Sequence, residues 1–104
     1  MDIIATTIQH VCAAFPVTPA EIFGTDRTER TTFPRQITIW IARQHGMRPE
    51  AIAEAMAGRK VPTILHATKR VQDRIDTEPR TKDLIFKLRA AIFQELARGA
   101  LPEK

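Results

Sequence analysis

Residues 49–75, PEAIAEAMAGRKVPTILHATKRVQDRI, decide how the rest of the chain is organised. Pro49 to Ala57 carries a short helical pattern, Gly58, Arg59 and Lys60 interrupt it, and a longer helix opens at Pro62 and Thr63. Proline is tolerated there because its missing N–H would have no intrahelical partner. Ile52, Ala55 and Met56 share one face of the first segment, while Ile64, Thr68, Val71 and Ile75 recur at helical spacing along the second, residues 62–75. Each helix therefore has one side to bury. His66, Lys69, Arg70 and Arg74 lie largely off that stripe, so the second helix can pack with one face and turn the other, with Thr63 and its first backbone N–H groups, towards an anion. This is the geometry of a helix-turn-helix whose second helix enters a DNA major groove. The same pattern with a merely solvated basic face occurs in many small helical domains, so the rest of the chain has to discriminate.

With 104 residues, 43% of them apolar, the chain is long enough for one core. A single domain is expected over 1–98, with 99–104 a flexible tail or truncation point. Lys and Arg number 16 against 12 acids, a formal charge of +4 and a pI near 9.8, which attracts polyanions. Positive charge gathers in residues 25–48 and 80–104. The balanced segment 49–79 conceals a split, because Glu50 and Glu54 precede the turn and Asp73, Asp76 and Glu78 follow the exposed face, leaving Arg59, Lys60, Lys69 and Arg70 together. Cys12 is the only cysteine, which excludes an intrachain disulfide and a multi-cysteine zinc site and points to a small buried hydrophobe. No apolar run approaches a membrane span and the start has no signal-like core; a cytoplasmic, nucleoid-associated protein is expected. His10, His45 and His66 fall in separate helical segments without a matching nucleophile or carboxylate, and His66 lacks a second histidine four residues away. No enzyme, cofactor or metal site is expected.

A first helix spans residues 2–13 on the Ile4, Ile8, Val11 and Cys12 stripe, with Asp2 at its start and Phe15 and Pro16 at its end. Thr18, Pro19 and Glu21 form a capping-box pattern opening a short helix that stops at Gly24. The threonine-rich stretch 25–33 is expected as a loop carrying Arg27 and Arg30. From Pro34 a strong helix follows, with Ile37, Trp40 and Ile41 on its core face and Gly46 as a left-handed cap. Arg35 then falls in the first helical turn, where a cation works against the macrodipole and is accounted for by an external anion or by plain solvation. A break at 76–79 precedes a last helix capped by Thr81, with Leu84, Ile85, Leu88, Ile92 and Leu96 along one side.

The run from Pro34 to Val71, PRQITIWIAR continuing to AGRKVPTILHATKRV, resembles domain IV, the C-terminal DNA-binding domain of the bacterial chromosomal replication initiator DnaA, whose pattern is PRQ, an apolar helix, then GGRDHTTVLHA and two basic residues. The resemblance implies an all-α bundle of about six helices with a Trp-repressor-like helix-turn-helix. It also implies that Arg35 enters the minor groove, that Arg27 and Arg30 approach the backbone, and that Arg59, Thr63, His66, Lys69 and Arg70 hold DNA. Lys60, Val61 and Pro62 stand where the family has aspartate, histidine and threonine. An acid that accepts from cytosine has become a donor for guanine or phosphate, and Val61 offers only apolar contact, so the initiator's own nine-base site is in doubt as the target.

No GxxxxGK[ST] phosphate loop is present in the sequence. The expectation is thus a sequence-specific binder of double-stranded DNA, a small transcriptional or replication regulator of phage or mobile-element type. It acts as a monomeric domain, with RNA polymerase or a replication initiator as the further partner class. The alternative is a protein-interaction domain that kept the fold and lost specific DNA recognition.

Overall fold

Residues Glu29–Gln44 form the helix around which the others are laid, because it is buried on nearly every side. The computed structural model describes residues 2–99, and among these there are six helices and no strand: α1 Ile3–Ala14, α2 Pro19–Phe23, α3 Glu29–Gln44, α4 Pro49–Ala55, α5 Val61–Thr77 and α6 Pro79–Gly99. The expected all-α bundle containing a helix-turn-helix, α4–α5, is what forms. α3 packs on α1, α2, α4 and α5, and α6 closes the bundle against α1 and α5. Ile37, Ile41 and Ala42 are fully buried, and Ile39 and Trp40 nearly so; each isoleucine contributes roughly 1.5–3 kcal/mol relative to leaving it in water. The Trp40 indole N–H donates to Gln72 Oε1 at 3.3 Å, and its ring stacks on Phe86 with centroids 6.4 Å apart.

Several ends are built as local chemistry dictates. Asp2 caps α1 by accepting from the Ile4 N–H at 2.9 Å. Thr18 and Glu21 form the reciprocal capping box at α2, with distances of 3.2 and 3.1 Å. α3 ends in a Schellman turn: Gly46 has φ +86, its N–H donates to Arg43 O at 2.9 Å, and the Met47 N–H donates to Ala42 O at 3.2 Å.

Four expectations are corrected. The segment 25–33 is a loop only as far as Thr28, and α3 begins five residues before Pro34, which lies inside it. Burial overrides the poor propensity of the threonines: the buried Thr31 hydroxyl lies 3.2 Å from both the Asp26 and Thr28 carbonyls. Phe33 meets Phe15 edge-on at 6.1 Å beneath the Arg74 guanidinium. The break before the last helix narrows to Glu78 alone, and Thr81 is no cap; its hydroxyl donates to Glu78 Oε1 at 2.8 Å, a carboxylate already held by Arg74. Burial of Cys12 is partial, although the thiol packs on the core and burial raises its pKa. α6 includes Gly99, and the rest of the expected tail, 100–104, lies outside the described residues.

Candidate nucleic-acid interface

The turn between α4 and α5 reverses the chain through two consecutive left-handed residues, Ala57 at φ +64 and Gly58 at φ +72. The Arg59 N–H then returns to Ala53 O at 3.0 Å, and Lys60 stands at the N-cap of α5 in an extended conformation. Pro62 occupies the first turn and no acid is present there, so the positive end of the macrodipole is left uncompensated by the helix's own side chains. The Thr63 N–H is not free, because it donates to Lys60 O at 3.0 Å; what Thr63 offers outward is its exposed side chain.

α5 is sharply two-faced. Ile64, Ala67, Val71 and Ile75 are buried, and the partly buried Thr68 turns its hydroxyl to Ile64 O at 3.0 Å. Lys60, Pro62, Thr63, His66, Lys69 and Arg70 are exposed. Lys69 approaches Asp73 only at 3.9 Å, with both side chains largely in solvent, so the pair is heavily screened and leaves the ammonium free to exchange its partner for a phosphate. Arg27 is exposed in the loop between α2 and α3.

Arg35, Arg59 and Val61 turn inward, while Arg30 stays exposed in a surface pair. Arg35 does not lie in a first helical turn facing an anion: it is only 8% exposed, and its Nε, Nη1 and Nη2 donate to Ile22 O at 2.8 Å, Asp26 O at 2.9 Å and Glu21 O at 2.8 Å. The physical reason is the earlier start of α3, which moves Arg35 into the second turn against the end of α2, where its charge meets the carbonyls of the helix C-terminus. Burial lowers its pKa. Arg59 is half-buried and donates to Met56 O at 2.6 Å, Phe23 O at 3.3 Å and Gly24 O; burial first, and Arg35 second, lower its pKa. Arg30 lies within α3 and is held by Glu21 and by Pro16 O at 2.9 Å. Its hydrogen bond with Glu21 lowers the pKa of the carboxyl and raises that of the guanidinium. Val61 packs partly buried against the core.

The structure thus leaves Lys60, Pro62, Thr63, His66, Lys69 and Arg70 exposed at the start and along the outer side of α5, draws Arg35, Arg59 and Val61 into the scaffold, and leaves Arg30 exposed in an ion pair with Glu21. It also places on the polar face a residue that sequence reasoning missed: Leu65, 49% exposed. Its signal was present, since a large aliphatic side chain one residue after the buried Ile64 stands off the apolar stripe. Among the described residues no group of three or more His, Cys, Asp or Glu is placed to hold a metal ion, and no helix is long and apolar enough to cross a membrane. His10 bonds Glu95 at 3.1 Å, His45 lies against Phe93, and His66 is on the outer face of α5.

Residues 4–71 match the family described as bacterial dnaA protein helix-turn-helix. Similar curated proteins include the chromosomal replication initiator proteins DnaA of Thermomicrobium roseum, 27% identical over 85% of this chain and 19% of the relative, and of Geotalea daltonii, 30% identical over 88% and 21%. That of Latilactobacillus sakei is 31% identical over 79% of this chain and 19% of the relative. The chain spans about a fifth of the length of these relatives.

Proposed function

The chain belongs to the bacterial DnaA helix-turn-helix family, and from that premise we propose that it binds double-stranded DNA sequence-specifically through the outer face of α5. Membership supports DNA binding as such. The finer assignment rests on one observation: from an acid-free helix N-terminus as far as Arg70 the exposed side of α5 carries no acid, and Lys60, Lys69 and Arg70 stand on that stretch. α5 enters the major groove, Lys60 and His66 offer donors to base edges, Pro62 and Leu65 offer apolar contact to a thymine methyl, and Thr63, Lys69, Arg70 and the loop's Arg27 meet phosphates. Arg35, Arg59 and Val61 support this surface from behind, and the exposed Arg30 lies on the loop's Arg27 side. With Lys60 and Val61 in place of an aspartate and a histidine, the target differs from the initiator's own box. The role is that of a small regulator of transcription or replication acting at the nucleoid.

The test is enrichment of a motif from a randomised duplex pool, followed by salt titration of wild type, Lys60→Ala and Arg70→Ala. The expected result is an enriched asymmetric motif, relaxed at one position by Lys60→Ala, and a salt slope reduced by roughly 0.9 in Arg70→Ala. No enriched motif, with both variants binding as wild type does, would refute the assignment.

A second reading, the docking of a protein partner such as an initiator or RNA polymerase, is favoured by α6. Phe86 is 41% exposed there between two hollows of about 460 and 360 Å³, with Lys82 and Arg89 beside its ring. Amide shifts centred on residues 80–98 on adding partner, with none at 58–70 on adding DNA, would select it.

A further inference from the structure

We propose, on the basis of the DNA-binding assignment above, that Arg35 and Arg59 are positioning residues: a pair of guanidinium groups that together grip the carbonyls at the end of α2 and so hold the Arg27 loop and the start of α5 in one fixed relation. α2 has only five residues, and its final carbonyls have no partners within the helix. Arg35 takes those of Glu21 and Ile22 and reaches on to Asp26, while Arg59 takes those of Phe23 and Gly24. The end of α2 and the start of the loop are thereby claimed almost residue by residue. Arg59 also donates to Met56 O at the end of α4, so one side chain ties α2 to the interhelical turn across some 35 positions of sequence.

Each anchor sits next to a residue of the DNA-facing surface. Arg59 precedes Lys60, the N-cap of α5, and its own backbone N–H is fixed on Ala53 O. Asp26 precedes Arg27, and Asp26 is held twice more, through its carbonyl by the Thr31 hydroxyl and through Oδ1 by the Thr28 N–H at 2.9 Å. Arg27 is therefore an exposed side chain between two pinned neighbours. Two like charges drawn together gain nothing from each other; the carbonyl dipoles at the negative end of α2 hold them there. Lysine cannot substitute, because a single ammonium on a flexible stem cannot span three carbonyls in a fixed fork.

The experiment uses the whole chain carrying Arg35→Lys or Arg59→Lys, which preserve net charge, with thermal melts to establish folding. In the absence of DNA, Arg35→Lys is expected to shift the amide signals of Lys60, Val61 and Thr63 as well as those of Gly24 to Thr28, although Arg35 touches only the latter side; shifts confined to Gly24 to Thr28 would overturn the coupling. With DNA, affinity for the enriched motif is expected to fall about tenfold or more, while affinity for random duplex and the salt slope stay at wild-type values. Equal losses on both duplexes would reduce the pair to a general structural role. A drop of roughly 0.9 in salt slope for Arg59→Gln would make Arg59 a phosphate ligand instead. Should Arg35→Lys not fold, Arg59→Lys carries both measurements, with the crossed shift read at Arg27 and Thr28. If wild type enriches no motif, the functional assignment fails alone, because the shifts in the free protein still decide the clamp.

Discussion

Exchanging the two residues at the tip of the helix-turn-helix should move stability in opposite directions. Ala57 has φ +64 and Gly58 has φ +72. The left-handed region costs an L-residue roughly 1–2 kcal/mol, whereas glycine enters it freely but gives up roughly 0.5–1 kcal/mol more conformational entropy on folding. Ala57 is exposed, so Ala57→Gly loses no packing, and the net gain should be about 0.5–1 kcal/mol, or ~3–6 °C in Tm for a domain of this size. A Cβ added at Gly58 would meet nothing within 4 Å. The cost of Gly58→Ala is therefore purely conformational, about 1 kcal/mol in the other direction. Urea denaturation of both variants measures this directly, as midpoint changes at constant m value. If Ala57→Gly is neutral or destabilising while Gly58→Ala costs nothing, the turn does not pass through two left-handed residues and the geometry argued for the start of α5 is wrong. The resemblance to the GGRD pattern places a glycine at the position of Ala57, as this backbone would lead one to expect.

Two further perturbations read different parts of the molecule. His45 Nε2 is buried without a partner and its ring packs on Phe93, so burial, and secondarily Arg89, lower its pKa. The unfolded chain then binds the proton more readily, and the stability His45 contributes is present above the unfolded value of about 6.5 and is lost as pH falls below it towards the lowered folded value; denaturation between pH 7.5 and 5 should show this loss in wild type and a flatter profile in His45→Gln. Lys60 sits at the N-cap of α5 without a side-chain cap bond, so Lys60→Asp should stabilise the fold by roughly 0.5–2 kcal/mol while weakening binding to the wild-type motif, and a loss of stability in thermal melts would contradict the N-cap assignment.

The helices were legible where a local rule decides. The stripe Ile64, Thr68, Val71 and Ile75 is a period, and the Thr18 and Glu21 box and Gly46 are chemistry confined to neighbours, so no tertiary information is needed to place them. The start of α3 was not legible, because Thr31 and Phe33 are helical only on account of what they bury against, including Phe15 from another element. The candidate site divides the same way. Lys60, Pro62, Thr63, His66, Lys69 and Arg70 turn outward because the apolar period of α5 fixes which side is left over. Arg35 and Arg59 turn inward because carbonyls from positions 9 to 36 residues away compete successfully for them, and nothing in a one-dimensional pattern separates an arginine that meets a carbonyl from one that meets a phosphate.

That distinction bears on what this chain can discriminate. The outward donors Lys69 and Arg70 lie a full turn or more beyond the start of α5, are unconstrained by the core, and suit phosphates at any sequence. On the proposed binding mode base selection falls to the first turns, and there Val61 has withdrawn into partial burial, leaving Lys60, Pro62, Leu65 and His66. A lysine at the N-cap is flexible, so its value as a reader depends on how firmly the backbone beneath it is held, and the element holding that backbone is Arg59, one residue earlier, locked onto the end of α2. If the proposed clamp holds, specificity in this surface is set less by the side chain that meets the base than by the buried cation that fixes where it starts.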